Sequence, residues 1–256
     1  MIRVKTAAEL EKMKKACAVS AGALAAAGQV IRPGVTTAEV DAAVESYILS
    51  QGGVPNFKGY NGFPGSACVS LNDTVIHGIP SKGEVLREGD IVSVDCGAIV
   101  DGFHGDNAYT FPCGAIAPEA EKLLRVTRES LFRGIAAAVP GGRVGDIGHA
   151  VQSCVEEYGY GVVKDFVGHG VGFDLHEAPE VPNFGHPGRG ARLTPGMTLA
   201  IEPMINSGDW RVHILADGWT VKTRDGGLSA HFEHTIVITS DGPQILTEWQ
   251  VDPWKS

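Results

Sequence analysis

The N-terminal part of the chain shows a helical pattern of small apolar residues. Thr6 and Glu9 have the spacing of a capping box, and the segment that follows to Ile31 is rich in Ala, Gly and Ser. We therefore predict an N-terminal helix that packs through small side chains. A targeting signal over Ala16 to Ile31 is the alternative, because lysines precede this apolar stretch. The capping box and the shortage of leucine favour the helix.

A second pattern repeats at a spacing of 107 positions. At this spacing Pro33-Gly34 corresponds to Pro140-Gly141, and each pair begins an amphipathic helical pattern. At the same spacing the segment Leu86–Asp95 corresponds to Leu193–Glu202. Each of these segments contains a turn, a short apolar strand and a final carboxylate. Chance similarity is the alternative, since glycine turns before strands are common. Two segments that share one spacing favour a duplicated unit.

The duplication predicts the fold class. Two units of helices followed by strands, roughly residues 1–112 and 113–248, would pair their strands into one curved antiparallel sheet with the helices outside. We predict an α+β protein with a pseudo-twofold axis, organised as a single domain over residues 1–256. No apolar run in the sequence reaches the length that crosses a bilayer. Carboxylates at equivalent strand positions would meet at the centre of this sheet.

A hairpin in the first unit brings two aspartates together. Asp101-Gly102 is a strong signal for a two-residue turn between antiparallel strands. With this turn Asp95 faces Ala108, so Asp106 projects from the same face as Asp95. The two carboxylates would lie about 7 to 8 Å apart or less. Like charges this close on a buried face require a compensating cation.

The second unit carries an equivalent pair of carboxylates. Glu202 ends a strand before Pro203, and Glu233 lies in a predicted strand over Ser229–Thr239. His169 stands in a glycine-rich segment, where backbone and ligand can approach closely. Any one of these residues alone would usually be a surface charge or a core histidine. The repeat, however, predicts that the four carboxylates meet, and His169 is the expected nitrogen donor beside them.

The charge of this cluster predicts a dinuclear metal site. Asp95, Asp106, Glu202 and Glu233 carry four negative charges, which two divalent ions would balance. Carboxylates combined with the imidazole of His169 suit Co, Mn, Fe or Zn, and the absence of thiolate argues against a structural zinc site. Paired ions about 3.5 to 4 Å apart can bind a shared water and clamp a substrate oxygen. Hydrolysis of an amide is therefore the expected reaction class.

Composition excludes some partners. The formal net charge is −9, and the only cluster of basic residues is Lys12, Lys14 and Lys15, so we expect no DNA binding. The five cysteines contain no CxxC pair, which argues against a disulfide framework. We expect a cytoplasmic protein that does not bind membranes.

Several motifs resemble a known family. The sequence is similar to the pita-bread metallopeptidases, which include methionine aminopeptidases, prolidases and X-Pro aminopeptidases, over nearly the whole chain to about Thr247. The similar segments are Val75–Pro80, Asp95 with Asp106, Gly168–Gly172, Leu175–Glu177, Ala200–Met204 and Phe232–Thr235. Type I methionine aminopeptidases of bacterial type are the members that it resembles most. The short segment before the first repeat argues against a prolidase, and the short gap between His169 and Glu202 argues against type II.

The resemblance implies a pita-bread catalytic domain and a role for each ligand. Asp95 would chelate one ion, Asp106 and Glu233 would bridge both ions, and His169 with Glu202 would complete the coordination of the other. Glu202 would also transfer protons as a general base. The resemblance places His77 and His176 outside the metal shell, one near the scissile amide and one donating to the developing oxyanion. A purely structural role is the alternative for each of these two histidines.

The resemblance also implies a substrate pocket and a second cation site. A methionine side chain requires an apolar slot with adaptable walls. The residues implied for this slot are Phe57, Tyr60, Phe63, Cys68, Leu175 and Trp219. A monovalent cation site is implied at Asn72, Thr74 and Ser229. Phe173 departs from many relatives, which carry Arg there, so substrate contacts outside the slot are left open.

By resemblance, the substrate is the N-terminal methionine of peptides and nascent chains. Cleavage would follow deformylation and would require a small, uncharged second residue, because bulky residues would clash near His77 and Trp219. We expect a monomer with transient association to the ribosome. Two alternatives are left open, namely an X-Pro peptidase and a catalytically silent peptide-binding module.

Overall fold

The computed structural model describes residues 2–250, so Met1 and residues 251–256 of the predicted domain lie outside the described residues. The helices of this part are α1 (Ala7–Val30), α2 (Thr37–Ser50), α3 (Pro118–Ala137) and α4 (Val144–Glu156), with a 3-10 turn at Tyr60–Gly62. The strands are β1 (Val54–Pro55), β2 (Ala67–Leu71), β3 (Thr74–Ile76), β4 (Ile91–Val100), β5 (Phe103–Pro112), β6 (Gly161–Val162), β7 (Gly168–Gly170), β8 (Glu177–Val181), β9 (Thr198–Ile201), β10 (Met204–Asn206), β11 (Val212–Ile214), β12 (Val221–Thr223), β13 (Ser229–His231), β14 (Glu233–Thr239) and β15 (Gly242–Ile245).

The first helix forms as its sequence pattern predicts. Thr6 and Glu9 make a reciprocal capping box at its start, which satisfies backbone donors that the helix leaves free. Its buried face consists largely of alanine and other small residues, and it packs on β4 and β5. The packing is close, because a Cβ added at Gly105 of β5 would lie 2.6 Å from the backbone nitrogen of Cys17. Small residues on both surfaces therefore allow the helix to lie directly on the sheet.

The main sheet is antiparallel throughout and joins strands from both ends of the chain. Its order is β1-β4-β5-β14-β9-β7-β8, with β2 also paired to β4 and β15 to β14. The hairpin β4–β5 has the predicted register, in which Val100 faces Phe103 and Asp95 faces Ala108. Asp101 and Gly102 both have positive φ angles, as a two-residue turn of this type requires. The predicted α+β class with a curved antiparallel sheet and outer helices is confirmed.

Several element boundaries follow the 107-residue spacing. Helix α2 begins at Thr37 and α4 at Val144, while α1 ends at Val30 and α3 at Ala137. Two isolated bridges obey the same spacing, since Thr36 pairs with Val85 and Arg143 pairs with Arg192. These correspondences support our proposal that residues 1–112 and 113–248 are duplicated halves of one domain.

One predicted strand is divided in the structure. The segment expected as a single strand over Ser229–Thr239 forms β13 and β14, which belong to different sheets. The break is at Phe232, which belongs to neither strand; its backbone nitrogen donates to the Pro203 carbonyl oxygen at 3.4 Å, in register with the β10–β13 ladder, and the next residue begins β14. β13 pairs with β10 in a small sheet that also contains β6. A second small sheet joins β11, β12 and β3, and the hairpin β11–β12 carries Trp219 in its loop. The sheet change brings Glu233 into the main sheet.

Two further sequence predictions can be compared with the described residues. All five cysteines are free and buried, as the lack of a disulfide pattern predicted. Within residues 2–250, no helix combines the length and the apolar character that crossing a membrane requires.

Candidate metal centre and substrate pocket

Three neighbouring strands place carboxylates in one row across the main sheet. Ala108 of β5 faces Asp95 of β4 on one side and Glu233 of β14 on the other. Asp106 lies two residues before Ala108 on the same face of β5 and is 3 % exposed. The side-chain oxygen of Thr235 fixes this position, because it accepts from the Asp106 backbone nitrogen at 3.3 Å and donates to the Asp106 carbonyl oxygen at 2.7 Å. The hairpin and β14 thus bring three of the predicted ligands together.

Strands β7 and β9 complete the cluster. His169 pairs in register with Ala200, two residues before Glu202. Its Nε2 atom lies 3.4 Å from Glu202 Oε1 and 3.9 Å from Asp106 Oδ2. Ligand atoms of Asp106, His169 and Glu233 all lie within 4.8 Å of one another.

The hydrogen bond of His169 leaves its other nitrogen free to bind a metal ion. Nδ1 lies 2.9 Å from the Gly170 carbonyl oxygen. Because a carbonyl oxygen can only accept, Nδ1 carries the proton and Nε2 has the lone pair. Burial lowers the pKa of His169 to about 3, so the ring is neutral at pH 7. A neutral imidazole held by a carbonyl is the usual form of a metal ligand.

The carboxylates are strongly perturbed by burial and by one another. Burial raises the pKa of Asp95 to about 7 and that of Glu202 to about 8. The pKa values of Asp106 and Glu233 are raised well above their usual range, first by burial and then by the neighbouring carboxylates. These shifts express the cost of burying several negative charges without a cation.

Unpaired oxygen atoms in the cluster fit divalent ions. Among the described residues, Asp95 Oδ1, Asp106 Oδ1 and Glu233 Oε1 are buried and have no hydrogen-bond partner. Buried carboxylate oxygens are rarely left unsatisfied unless they bind a metal ion or an ordered water. Oxygen ligands with one imidazole nitrogen form a donor set for first-row divalent metals. The residues present therefore fit a metal centre.

A cavity of about 310 Å³ opens onto this cluster. All five predicted metal ligands line it, as do both predicted histidines outside the metal shell and all six predicted slot residues; these are Asp95, Asp106, His169, Glu202, Glu233, His77, His176, Phe57, Tyr60, Phe63, Cys68, Leu175 and Trp219. Phe57, Phe63, Cys68 and Leu175 pack as one apolar cluster, with Trp219 against it. The rings of Phe63 and Trp219 meet edge to face with centroids 5.2 Å apart. An apolar slot therefore lies directly beside the acidic cluster.

The two predicted histidines outside the metal shell lie at different points of the cavity. The ring of His176 lies against that of His169, with centroids 4.2 Å apart and planes tilted by 52°, and its Nδ1 lies 2.9 Å from the Tyr60 hydroxyl oxygen. When Tyr60 donates in this bond, Nε2 of His176 carries a proton and can donate to a substrate oxygen. His77 packs edge to face against Trp219 and has a positive φ angle of 59°. Backbone strain of this kind is found mostly at functional sites.

Comparison with known proteins identifies the family. The model of metallopeptidase family M24 matches residues 11–240. The chain belongs to this family. It is 52% identical over 247 residues to a methionine aminopeptidase of Clostridium acetobutylicum, covering 96% of this chain and 99% of the relative.

Solved structures of this M24 family agree in fold. The crystal structure of methionine aminopeptidase from Thermotoga maritima superposes with a TM-score of 0.95 at 50% identity, covering 97% of this chain and 100% of that chain. Prolidase from Pyrococcus furiosus superposes with a TM-score of 0.77 at 25% identity, and here 97% of this chain matches only 66% of the prolidase. The pita-bread fold and the use of divalent metal follow from membership of this family.

The residues predicted to bind a monovalent cation lie close together, and the Asn72 side chain already has hydrogen-bond partners. In this M24 peptidase the Asn72 side chain accepts from the Ile91 backbone nitrogen and donates to Asp90. The Asn72 carbonyl oxygen accepts from the Ser229 backbone nitrogen at 2.8 Å. Thr74 is buried in the adjoining β3. The cation site stays a prediction.

Among the residues that were not predicted from the sequence, His231 contacts a proposed metal ligand and Phe166 lines the cavity of this M24 peptidase. His231 is 1 % exposed, and its Nε2 lies 3.7 Å from Glu202 Oε2, whereas His169 approaches Oε1 of the same carboxylate. The position of His231 two residues before Glu233 was the available signal, because alternate residues share a face. Phe166 lines the cavity and packs edge to face on His77 at 5.7 Å. It lies in an irregular segment, where periodicity predicts nothing.

Proposed function

We propose that this M24 metallopeptidase is a methionine aminopeptidase that hydrolyses the bond after an N-terminal methionine. The observation that carries this proposal is the single cavity, which combines a buried acidic cluster with an apolar slot. The acidic cluster supports metal-dependent amide hydrolysis, and the slot supports selection of an apolar side chain. Similarity to methionine aminopeptidases over nearly the whole chain supports the same activity.

Two divalent ions are the proposed cofactors. Asp95 would bind one ion, and His169 with Glu202 would bind the other. Asp106 and Glu233 would each contribute to the binding of both ions. When bound, a pair of ions lowers the pKa of a shared water and polarises the substrate carbonyl. The four carboxylates together match the charge of two divalent ions. Co, Mn, Fe and Zn all suit these ligands.

We assign the remaining polar groups to proton transfer and charge stabilisation. Glu202 is buried in the acidic cluster and lines the cavity, where its carboxylate would accept a proton as the general base of the hydrolysis. His176 would donate from Nε2 to the oxyanion that develops on the scissile carbonyl. Burial lowers the pKa of His77 to about 4, so His77 is neutral and would contact the scissile amide. Each of these roles belongs to a residue that lines the same cavity.

The slot explains the choice of methionine. Phe57, Phe63 and Leu175 surround the space with apolar side chains, while Cys68 adds a polarizable sulfur. Trp219 and His77 would crowd the next residue of the substrate, so small and uncharged second residues are preferred. A formyl group would remove the charge and the lone pair of the α-amine, so deformylation must come first.

We further propose that the substrates are nascent chains in the cytoplasm. The enzyme would act there as a monomer that associates transiently with the ribosome. The five free, buried cysteines are consistent with a reducing compartment.

Four peptides test the proposal together. We expect kcat/KM to be highest for Met-Ala-Ser, much lower for Met-Leu-Ser, and undetectable for formyl-Met-Ala-Ser and Ala-Pro-Ser. Each assay is run on metal-loaded enzyme, with chelated enzyme as the control. Preferred cleavage of Ala-Pro-Ser would make the enzyme an X-Pro peptidase. No cleavage of any peptide with both metals bound would instead indicate a silent peptide-binding module.

A further inference from the structure

The segment that carries Leu175 and His176 is an irregular loop between β7 and β8. Leu175 lines the slot and His176 lines the cavity beside His169. No helix or strand fixes these two side chains, because β7 ends at Gly170 and β8 begins at Glu177. Their position must therefore depend on contacts of the loop with other parts of the chain.

Glu177 holds the loop through both of its carboxylate oxygens. Oε1 accepts from the backbone nitrogens of Phe173 and Asp174 at 2.6 and 3.1 Å. Oε2 accepts from the Lys5 ammonium group at 2.7 Å. The side chains of Lys5 and Glu177 are 1 % and 2 % exposed, so this ion pair is shielded from solvent. One carboxylate thus joins the loop backbone to the N-terminal segment.

The N-terminal segment is itself fixed to the sheet. The backbone nitrogen of Lys5 donates to the Gly196 carbonyl oxygen at 2.8 Å, in the turn before the strand that leads to Glu202. The Lys5 ammonium group also lies 5.3 Å from the centre of the Phe173 ring. Lys5 therefore connects the loop to the strand that precedes a proposed metal ligand.

We propose that Lys5 and Glu177 are positioning residues that hold the loop so that His176 and Leu175 face the substrate. This proposal rests on the proposed function, because it assigns to His176 the role of stabilising the oxyanion. Small displacements of such a group have large effects on rate, since misplacement by about 1 Å can reduce the rate about 100-fold. Loss of either partner also leaves a buried charge without its counter-ion, which drives the loop to rearrange.

The test compares three variants with wild-type enzyme and a matched control. Lys5→Met removes the charge but keeps the apolar stem, and Glu177→Gln keeps an oxygen that can accept from the loop backbone. The third variant combines both changes. The control is Lys15→Met, which removes an exposed ion pair with Asp101. Metal content and unfolding temperature are measured for every variant.

We expect each single variant to lower kcat on Met-Ala-Ser about 10-fold or more through displacement of His176, with a smaller rise in KM from displacement of Leu175 and with metal content unchanged. The double variant should be no worse than the poorer single variant, because both changes remove one interaction. A kcat within about 2-fold of wild type, a loss explained by metal release, or multiplicative losses in the double variant would overturn the proposal.

A second measurement does not depend on turnover. The carbon-bound imidazole protons of His176 can be assigned by NMR from the signal that is lost in His176→Gln. We expect this signal to shift or broaden in Lys5→Met and to stay unchanged in Lys15→Met. An unchanged signal in Lys5→Met would overturn the positioning role even if wild-type enzyme cleaved none of the peptides. Absence of cleavage by wild-type enzyme, in contrast, would refute the proposed function.

Discussion

Removal of the metal ions should make the stability of this protein fall steeply as the pH rises above 6.5. The reason lies in the raised pKa values of the buried carboxyl groups. A carboxyl group with a raised pKa binds its proton in the folded protein and loses it on unfolding. The unfolded state is then favoured as the pH increases, through the window between the unfolded and the folded pKa. Bound divalent ions would remove this effect, because they favour the ionised carboxylates.

The lowered pKa values of two histidines determine the pH range in which the effect of the carboxyl groups can be measured. Burial lowers the pKa of His77 to about 4 and that of His169 to about 3. Because these groups are protonated more readily in the unfolded state, their contribution makes stability increase with pH up to their unfolded pKa near 6.5. Below pH 6.5 the histidine and carboxyl contributions therefore oppose each other. Above pH 6.5 the contribution of these histidines ends, while the loss of stability from the carboxyl groups continues.

The size of the effect can be worked out for Glu202. Its pKa of about 8 lies well above the unfolded value of 4.5. While Glu202 is protonated in the folded protein, the free energy of unfolding falls by about 1.4 kcal/mol per pH unit, and this slope decreases as Glu202 ionises near pH 8. Between pH 6.5 and 8.5, Glu202 alone therefore lowers the free energy of unfolding by about 2 kcal/mol. Asp106 and Glu233 add to this loss in the same direction.

The assay is urea unfolding of metal-free protein at pH 6.5, 7.5 and 8.5, with absence of metal verified by elemental analysis. Glu202→Gln should reduce the decline by at least about 2 kcal/mol, since the amide does not titrate and the charge of Glu202 no longer raises the pKa values of Asp106 and Glu233. Glu157→Gln changes an exposed glutamate in the same way and should leave the decline unchanged. A free energy of unfolding that is constant or rises over this window in metal-free wild type would refute the reasoning. An unchanged slope in Glu202→Gln would refute the assignment to Glu202.

Three other predictions concern single side chains. His176→Ala should retain its metal and lose about 2 to 4 kcal/mol of transition-state stabilisation, measured as a fall in kcat; loss of metal occupancy would contradict the assigned role. Trp219→Ala should raise KM for Met-Ala-Ser and reduce the preference over Met-Leu-Ser, because one wall of the slot is removed; an unchanged ratio of kcat/KM values would contradict this. Gly105→Ala should destabilise the fold by about 1 to 3 kcal/mol in urea, because its Cβ would approach the backbone of Cys17. Gly83→Ala has room for its methyl group and should be near neutral, so equal effects would exclude the steric explanation.

The parts of the site that follow local rules could be predicted from the sequence. The turn at Asp101-Gly102 fixes the register of its hairpin, and the register then fixes the faces of Asp95 and Asp106. The ion pair of Lys5 with Glu177 could not be predicted in this way. Its partners are far apart in the chain, and a charge in the sequence carries no information on its partner. The break of the strand at Phe232 could not be predicted either, because the apolar pattern around Phe232 is compatible with pairing in either sheet.

The placement of the ligands links metal binding to the pairing of the two proposed halves. Asp95 and Asp106 belong to the first half, while His169, Glu202 and Glu233 belong to the second. The two halves meet where β5 pairs with β14, and we call this pairing the seam. It is a short ladder in which Glu233 faces Ala108 and His234 pairs with Asn107.

Side chains strengthen this seam at the point where the carboxylates repel each other. Thr235 bonds to both backbone groups of Asp106, and its own backbone nitrogen donates to the Thr247 hydroxyl at 3.0 Å. These bonds hold the strands in register but leave the negative charges uncompensated. Ions bound by ligands from both halves would supply that compensation and cross-link the halves as well. The pH-dependent loss of stability in metal-free protein should therefore be greatest at the seam between β5 and β14, where amide hydrogen exchange can detect it.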